Sequence, residues 1–209
     1  MTGDAAGAAA LPPREDNGTN PCPAGPNGSV APLTRPGGEF VPPSRRVVLS
    51  LGGNLGDRWH SLQAAVAALR ATRGLALTGV SGVWETAPVG VVEQPDFLNI
   101  VVLATSTLSP DELLARAQAI EVALGRVRTI PGGPRTVDVD LIQVGACVLT
   151  GRRLTLPHPR AHERAFVLVP WLEADPDAEL VGHGRVAGLI AGLDVTGVRR
   201  RDELTVRLT

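Results

Sequence analysis

Residues 135–142 read Arg-Thr-Val-Asp-Val-Asp-Leu-Ile, and this alternation constrains the fold more than any other stretch. Side chains of an extended strand alternate between faces, so Val137, Val139 and Leu141 point one way and Asp138 and Asp140 the other. The pattern predicts a strand over Thr136–Gln143 with one apolar face against a core. Its other face carries two carboxylates about 7 Å apart at Cα.

The remaining elements follow from periodicity and punctuation. Proline and glycine crowd residues 1–44, which have no periodic apolar pattern. Such a segment cannot bury enough surface to offset its ordering entropy, so 1–44 is expected to be a disordered extension and 45–209 a single domain. Arg46–Leu51 reads as a buried strand and Gly52–Asp57 as a turn. A helix is expected over Arg58–Thr72, capped by Asp57, with Trp59, Leu62, Val66 and Leu69 on one face. Strands are expected over Leu75–Trp84 and Phe97–Ala104, with a loop over Glu85–Asp96 between them. Ser109, Pro110 and Glu112 form a capping-box signature for a second helix that Gly125 ends. A hairpin around Thr150-Gly151 and a C-terminal helix over His162–Glu173 complete the reading. The order β-α-β-β-α-β is that of an α+β, ferredoxin-like antiparallel sheet with helices packed on it. Arg199-Arg-Arg201 reads as a solvated charge run.

Composition narrows the chemistry. The formal net charge of −1 argues against a general nucleic-acid or membrane-surface binder, and no apolar run is long enough to span a bilayer. Cys22 and Cys147 cannot make a disulfide framework and are expected as free thiols in a reducing cytoplasm. All 20 basic residues are arginine, which excludes a P-loop and any Schiff-base lysine. Phosphate would have to be handled by guanidinium groups, backbone amides and metal.

Asp138 and Asp140 suit a hard cation such as magnesium, although an edge strand with a polar outer face would show the same spacing. Arg126, Arg128 and Arg135 precede the pair; Arg152, Arg153, Arg160 and Arg164 follow it. Planar guanidinium groups match phosphate oxygens, so the cluster favours an anionic ligand bridged by metal. Gln118 and Glu121 share a helix face and could reach that ligand. Phe97 and Phe166 flank polar loops and could stack on a flat heterocycle, with the Asn99 amide beside Phe97. His158 could donate to a phosphate; the four histidines do not form a metal site.

Several segments together resemble 6-hydroxymethyl-7,8-dihydropterin pyrophosphokinases. They are Leu49–Asp57, Glu85–Gly90, Gln94-Pro-Asp-Phe-Leu-Asn99, Gly125-Arg-Val-Arg128, Gly133-Pro-Arg-Thr-Val-Asp-Val-Asp140 and Leu154-Thr-Leu-Pro-His158. The resemblance implies transfer of the β,γ-pyrophosphoryl group of ATP to the pterin hydroxymethyl group, releasing AMP, in a cytoplasmic, monomeric enzyme. It implies two magnesium ions on Asp138 and Asp140, and Arg126 and Arg135 as catalytic arginines. The implied pterin contacts are Thr86, Ala87, Val89, Phe97, Asn99 and Phe166. Those for ATP are Gln118, Glu121, Arg128, Leu141, Arg153, Thr155, His158 and Arg164. The chain departs from the family at Gly53, where serine is usual, at Ala87 and at Pro159. It also departs at Pro131-Gly132, which replace a basic residue and a tryptophan in a loop one residue shorter. A lid-deficient nucleotide- or pterin-binding homologue is the alternative reading.

Overall fold

The structure, a computed structural model, describes residue 22 and residues 43–88, 94–126 and 133–208. Apart from Cys22, Pro43 and Ser44, the expected extension lies outside the described residues. The fold is a mixed α/β architecture: an antiparallel sheet with helices on both faces.

The sheet is built around β1 (Arg45–Gly53), which pairs with β4 (Phe97–Ser106) on one side and β5 (Asp138–Val144) on the other. β2 (Leu75–Val80) and β3 (Trp84–Thr86) both pair with β4, and β10 (Val198–Arg200) pairs with β3. Every pairing is antiparallel. The strand expected over Leu75–Trp84 thus ends at Val80, and β3 runs from its last residue into the expected loop. The break falls at Ser81, whose hydroxyl accepts from Val101 N–H at 2.9 Å while its own N–H donates to the Val101 carbonyl at 2.9 Å. The following Gly82 N–H leaves the ladder for Glu173, at 3.0 Å.

Alternation along the strands divides the interior into two cores. Val47, Leu49 and Leu51 of β1, Leu98, Ile100 and Val102 of β4, and Val139 and Leu141 of β5 face one core. Over them lie α1 (Arg58–Arg70) and α2 (Pro110–Ala123), which bury Leu62, Val66 and Leu69 and Leu113, Ala117 and Ile120. The Ser109–Glu112 capping box forms as expected, and the Asp57 side chain accepts from His60 N–H. Val48, Val101 and Ile142 face the second core, under α3 (Ala165–Ala174) and α4 (Val186–Ile190). A register shift between Val48 and Leu49 in the β1–β5 pair leaves Ile142 as an extra residue. Beyond it, Val144 returns to the first core.

The hairpin forms from β6 (Leu149–Thr150) and β7 (Thr155–Leu156). The helix expected over His162–Glu173 is instead a 3₁₀ turn over Ala161–Glu163 followed by α3. A second short hairpin, β8 (Glu179–Leu180) with β9 (Gly184–Arg185), precedes α4. Among the described residues, no helix is long and apolar enough to cross a membrane.

The free-thiol expectation is overturned. Cys22 and Cys147 are joined in a disulfide with a Cα–Cα distance of 4.6 Å, and both are buried in the first core. Two cysteines separated by 125 residues carry no pairing signal in sequence. Arg199-Arg-Arg201 faces solvent as expected, with Arg199 and Arg200 exposed; the run also builds β10 and its flank, and all three guanidinium groups pair with carboxylates. Iodoacetamide treatment of the unreduced chain, unfolded in guanidinium chloride, is expected to add no carbamidomethyl group by mass spectrometry. Two additions would restore the free-thiol reading.

Candidate active site

Residues directly opposite in an antiparallel pair share a face. The register sets Asn99 of β4, Gly52 of β1 and Asp138 of β5 in one row, and Val101, Ser50 and Asp140 in the next. Val101 belongs to the second core, so both aspartates lie where that core runs out toward the end of the sheet. Gly52 leaves the middle of its row open: a Cβ there would meet Asn99 Oδ1 at 2.5 Å. At Gly53 a Cβ would come within 2.2 Å of the Thr136 carbonyl. This residue lets the segment before β5 close against β1.

At one end of the row, Asn99 is buried and its amide donates to Thr86 Oγ1 at 2.8 Å. Thr86 lies opposite Phe97 in the β3–β4 pair. Ala87 follows β3 and is exposed; Val89 lies outside the described residues.

At the other end, Arg126 pairs with Asp138 and Glu121, and Arg135 with Asp138. Arg164 Nη1 lies 3.3 Å from Asp140 Oδ2. The same arginines face the two rings: the Arg135 guanidinium carbon is 5.4 Å from the Phe97 centroid, and that of Arg164 is 5.5 Å from the Phe166 centroid. Phe166 sits in the first turn of α3. Arg128 and the loop positions 131 and 132 lie outside the described residues.

A cleft of about 370 Å³ opens beside the aspartates, between α2, β5 and the β6–β7 hairpin. It gathers Gln118, Glu121, Leu141, Arg153, Thr155 and His158, together with Arg126, Asp138 and Asp140. Glu121 is only 3% exposed, and its Oε1 accepts the Val139 N–H at 2.8 Å, between the two aspartates in sequence.

These contacts set the charges. Burial, reinforced by neighbouring Asp138, pushes the Glu121 carboxyl up to about 7; the Val139 amide and Arg126 oppose the shift. Burial also raises Asp138, but the hydrogen bond with Glu121 and the Arg126 and Arg135 charges outweigh it and hold Asp138 below its ordinary value. Asp140 is raised to about 6 by burial and by Asp138, with Arg164 opposing. His158 is lowered to about 4 by burial and then by Arg164.

Two hard oxygen donors with positive charge around them suit magnesium, which takes one or two carboxylates and completes its shell with water and phosphate oxygens. Among the described residues, no group of three or more His, Cys, Asp and Glu gathers into a protein-only metal cage. The donor set therefore fits a metal that arrives with a phosphate ligand.

Three residues the sequence reading did not single out shape this region. Asn54, read only as part of a turn, is buried. Its amide donates to Gln94 Oε1 and the Pro95 carbonyl, each at 3.0 Å, and its Oδ1 accepts from Arg135 N–H at 2.9 Å. It thereby ties the segment before Phe97 to the segment before Asp138. Arg58 and Glu85 pair at 3.1 Å at the Phe97 end. Asparagine in a glycine-flanked turn was the available signal for the first; the ion pair had none.

The family model described as 7,8-dihydro-6-hydroxymethylpterin-pyrophosphokinase matches residues 48–176. The 2-amino-4-hydroxy-6-hydroxymethyldihydropteridine pyrophosphokinase of Mycobacterium leprae is 48% identical over 180 residues, covering 78% of this chain and 92% of that protein. The protein of the same name from Methylorubrum extorquens is 41% identical over 155 residues, covering 74% of this chain and 98% of its own length. The crystal structure of Plasmodium falciparum HPPK-DHPS wild type with pteroate aligns with a TM-score of 0.57 at 13% identity. It is a likeness of fold; this chain spans 42% of that chain, and 71% of this chain is covered.

An unfolded chain protonates His158 near pH 6.5, whereas the folded chain takes up that proton only near pH 4. The contribution of His158 to stability is therefore complete above pH 6.5 and is lost as pH falls toward 4. In the folded protein the His158 ring resonances are expected to titrate by NMR near pH 4. A midpoint above 6 would contradict the burial described.

Proposed function

The chain belongs to the 7,8-dihydro-6-hydroxymethylpterin-pyrophosphokinase family, and from that membership we propose how its own residues carry the reaction. It transfers the pyrophosphoryl group of ATP to the hydroxymethyl group of 6-hydroxymethyl-7,8-dihydropterin in folate synthesis. The hydroxymethyl oxygen attacks the β-phosphorus and loses its proton to solvent. The bond from that phosphorus to the α,β-bridging oxygen breaks, and AMP leaves with the oxygen.

The observation that carries the reading is the meeting of Asp138 and Asp140 with Arg126, Arg135 and Arg164 beside a polar cleft. Such an array supplies positioning and charge rather than a covalent nucleophile, which is what phosphoryl chemistry needs. Asp138 and Asp140 hold two magnesium ions. Those ions neutralise phosphate charge and orient the triphosphate when bound. Arg126 and Arg135 then exchange carboxylate for phosphate oxygens and steady the transferring group. Gln118, Glu121, Leu141, Arg153, Thr155, His158 and Arg164 hold the nucleotide in the cleft. Arg128 joins them on its place in sequence.

The pterin lies at the Phe97 end, held between Phe97 and Phe166. Asn99 and Thr86 read its polar edge, with Ala87 and Val89 beside it. Gly52 keeps the floor between the two subsites open. The strand order β5-β1-β4 with β2 on β4, and α1 and α2 on one face, supports the ferredoxin-like plan for the sheet.

AMP formation dependent on both hydroxymethyl-dihydropterin and magnesium tests the reading. Asp138→Ala and Asp140→Ala are each expected to lower kcat by at least about a hundredfold, because a metal ligand is lost. Wild-type AMP release no greater than that of Asp138→Ala would refute it. Gly52→Ala is expected to raise KM for the pterin and leave KM for ATP little changed, because its Cβ displaces the Asn99 amide. Equal changes in both constants would remove that role from Gly52.

A further inference from the structure

The arginine run at 199–201 lies outside the residues matched by the family model and outside every site position discussed so far. It nevertheless converges on the elements that carry the proposed pterin contacts. Arg201 Nη1 donates to Glu85 Oε2 at 2.7 Å, and Arg201 N–H donates to the Val83 carbonyl at 2.9 Å. The Glu85 side chain is 12% exposed and also receives Arg58 Nη1 at 3.1 Å. That same Nη1 donates to the Asp96 carbonyl at 2.6 Å, one residue before Phe97. Arg200 Nε donates to Glu173 Oε1 at 2.9 Å. Glu173 is on α3, the helix that presents Phe166, and its other oxygen accepts from Trp84 Nε1 at 2.7 Å. Arg199, 67% exposed and 3.5 Å or more from Glu85 and Asp96, is peripheral.

Three elements thus meet at this end of the sheet: β3 with Thr86, the start of β4 with Phe97, and α3 with Phe166. β3 is three residues long and bonds β4 on one side. Isolated strands this short are marginal, and single exposed ion pairs contribute little. Here the pairs are linked through two carboxylates, and β10 supplies the second edge of β3.

We propose that Arg200 and Arg201 are positioning residues of the pterin subsite: they clasp β3 to α1, β4 and α3 and fix the separation of Thr86, Phe97 and Phe166. The inference rests on the placement of the pterin at the Phe97 end. The clasp lies on the opposite side of the subsite from the aspartates and their cleft, so it acts on pterin affinity and not on nucleotide affinity.

The test is calorimetric, on the full chain. Two titrations are made: a non-transferable ATP analogue with magnesium, and hydroxymethyl-dihydropterin onto the protein saturated with that complex. Arg201→Gln and Arg200→Gln are each expected to weaken pterin binding about tenfold, within the coupling range of contacting networks, with the analogue affinity unchanged. Arg201→Lys, which keeps the charge on Glu85, recovers most of the loss. Arg201→Gln combined with Glu85→Gln is no weaker than the worse single variant, because both break one network. Arg70→Ala, which removes a contact of the same C-terminal segment to the Leu208 carbonyl, leaves both affinities unchanged. Unaltered pterin affinity in Arg201→Gln, equal losses for both ligands, or an additive double variant would overturn the clasp. If the unmodified chain binds the analogue but not the pterin, the subsite assignment itself fails.

Discussion

Asp138 is the point on which the site is balanced. Two guanidinium groups, from Arg126 and Arg135, converge on one largely buried carboxylate, and Arg126 also reaches Glu121. A carboxylate moved from water into such a place costs several kcal/mol unless it is paired and hydrogen-bonded. The arginines provide that compensation, and they come from either side of the segment that leads into β5. Seating of Arg126 and Arg135 against β5 is therefore coupled to ionisation of the aspartate. The arrangement also holds the guanidinium groups in place, because each arginine is already paired with an acid.

The two halves of the site are mechanically one. Arg135 touches Asp138 and stands over Phe97; Arg164 touches Asp140 and stands over Phe166. Each of these two guanidinium groups thus joins an aspartate to a ring. Asn54 adds a backbone link between the same two regions. In a phosphoryl transfer between two bound substrates, rate depends on holding the attacking and accepting atoms in line. Arg135 and Arg164 are the side chains that link the aspartates to the rings.

Much of this was legible in the sequence because it is local. The period-two run at 136–143 specified a strand with carboxylates on one face, and the Ser109 capping box specified where α2 begins. Gly52-Gly53 was legible only as a turn. Its value lies in what crosses it, Asn99 and Thr136, and those approaches belong to strand register. The split of residues 75–86 into two strands was invisible for a similar reason: β3 exists by pairing with β4 and with a strand more than a hundred residues later. The Cys22–Cys147 bond and the pairing of the Arg199–Arg201 run are likewise contacts between distant segments, and composition describes each only as an isolated feature.

Among the described residues, β5 ends its side of the sheet, with β1 on one edge and no strand on the other. An unpaired strand edge is a template for pairing with another chain. Here the Val139 N–H on that edge is already occupied by the Glu121 carboxylate from α2. The same Glu121 carboxyl lines the cleft, so a substitution there would alter the cleft wall and uncover this edge donor together.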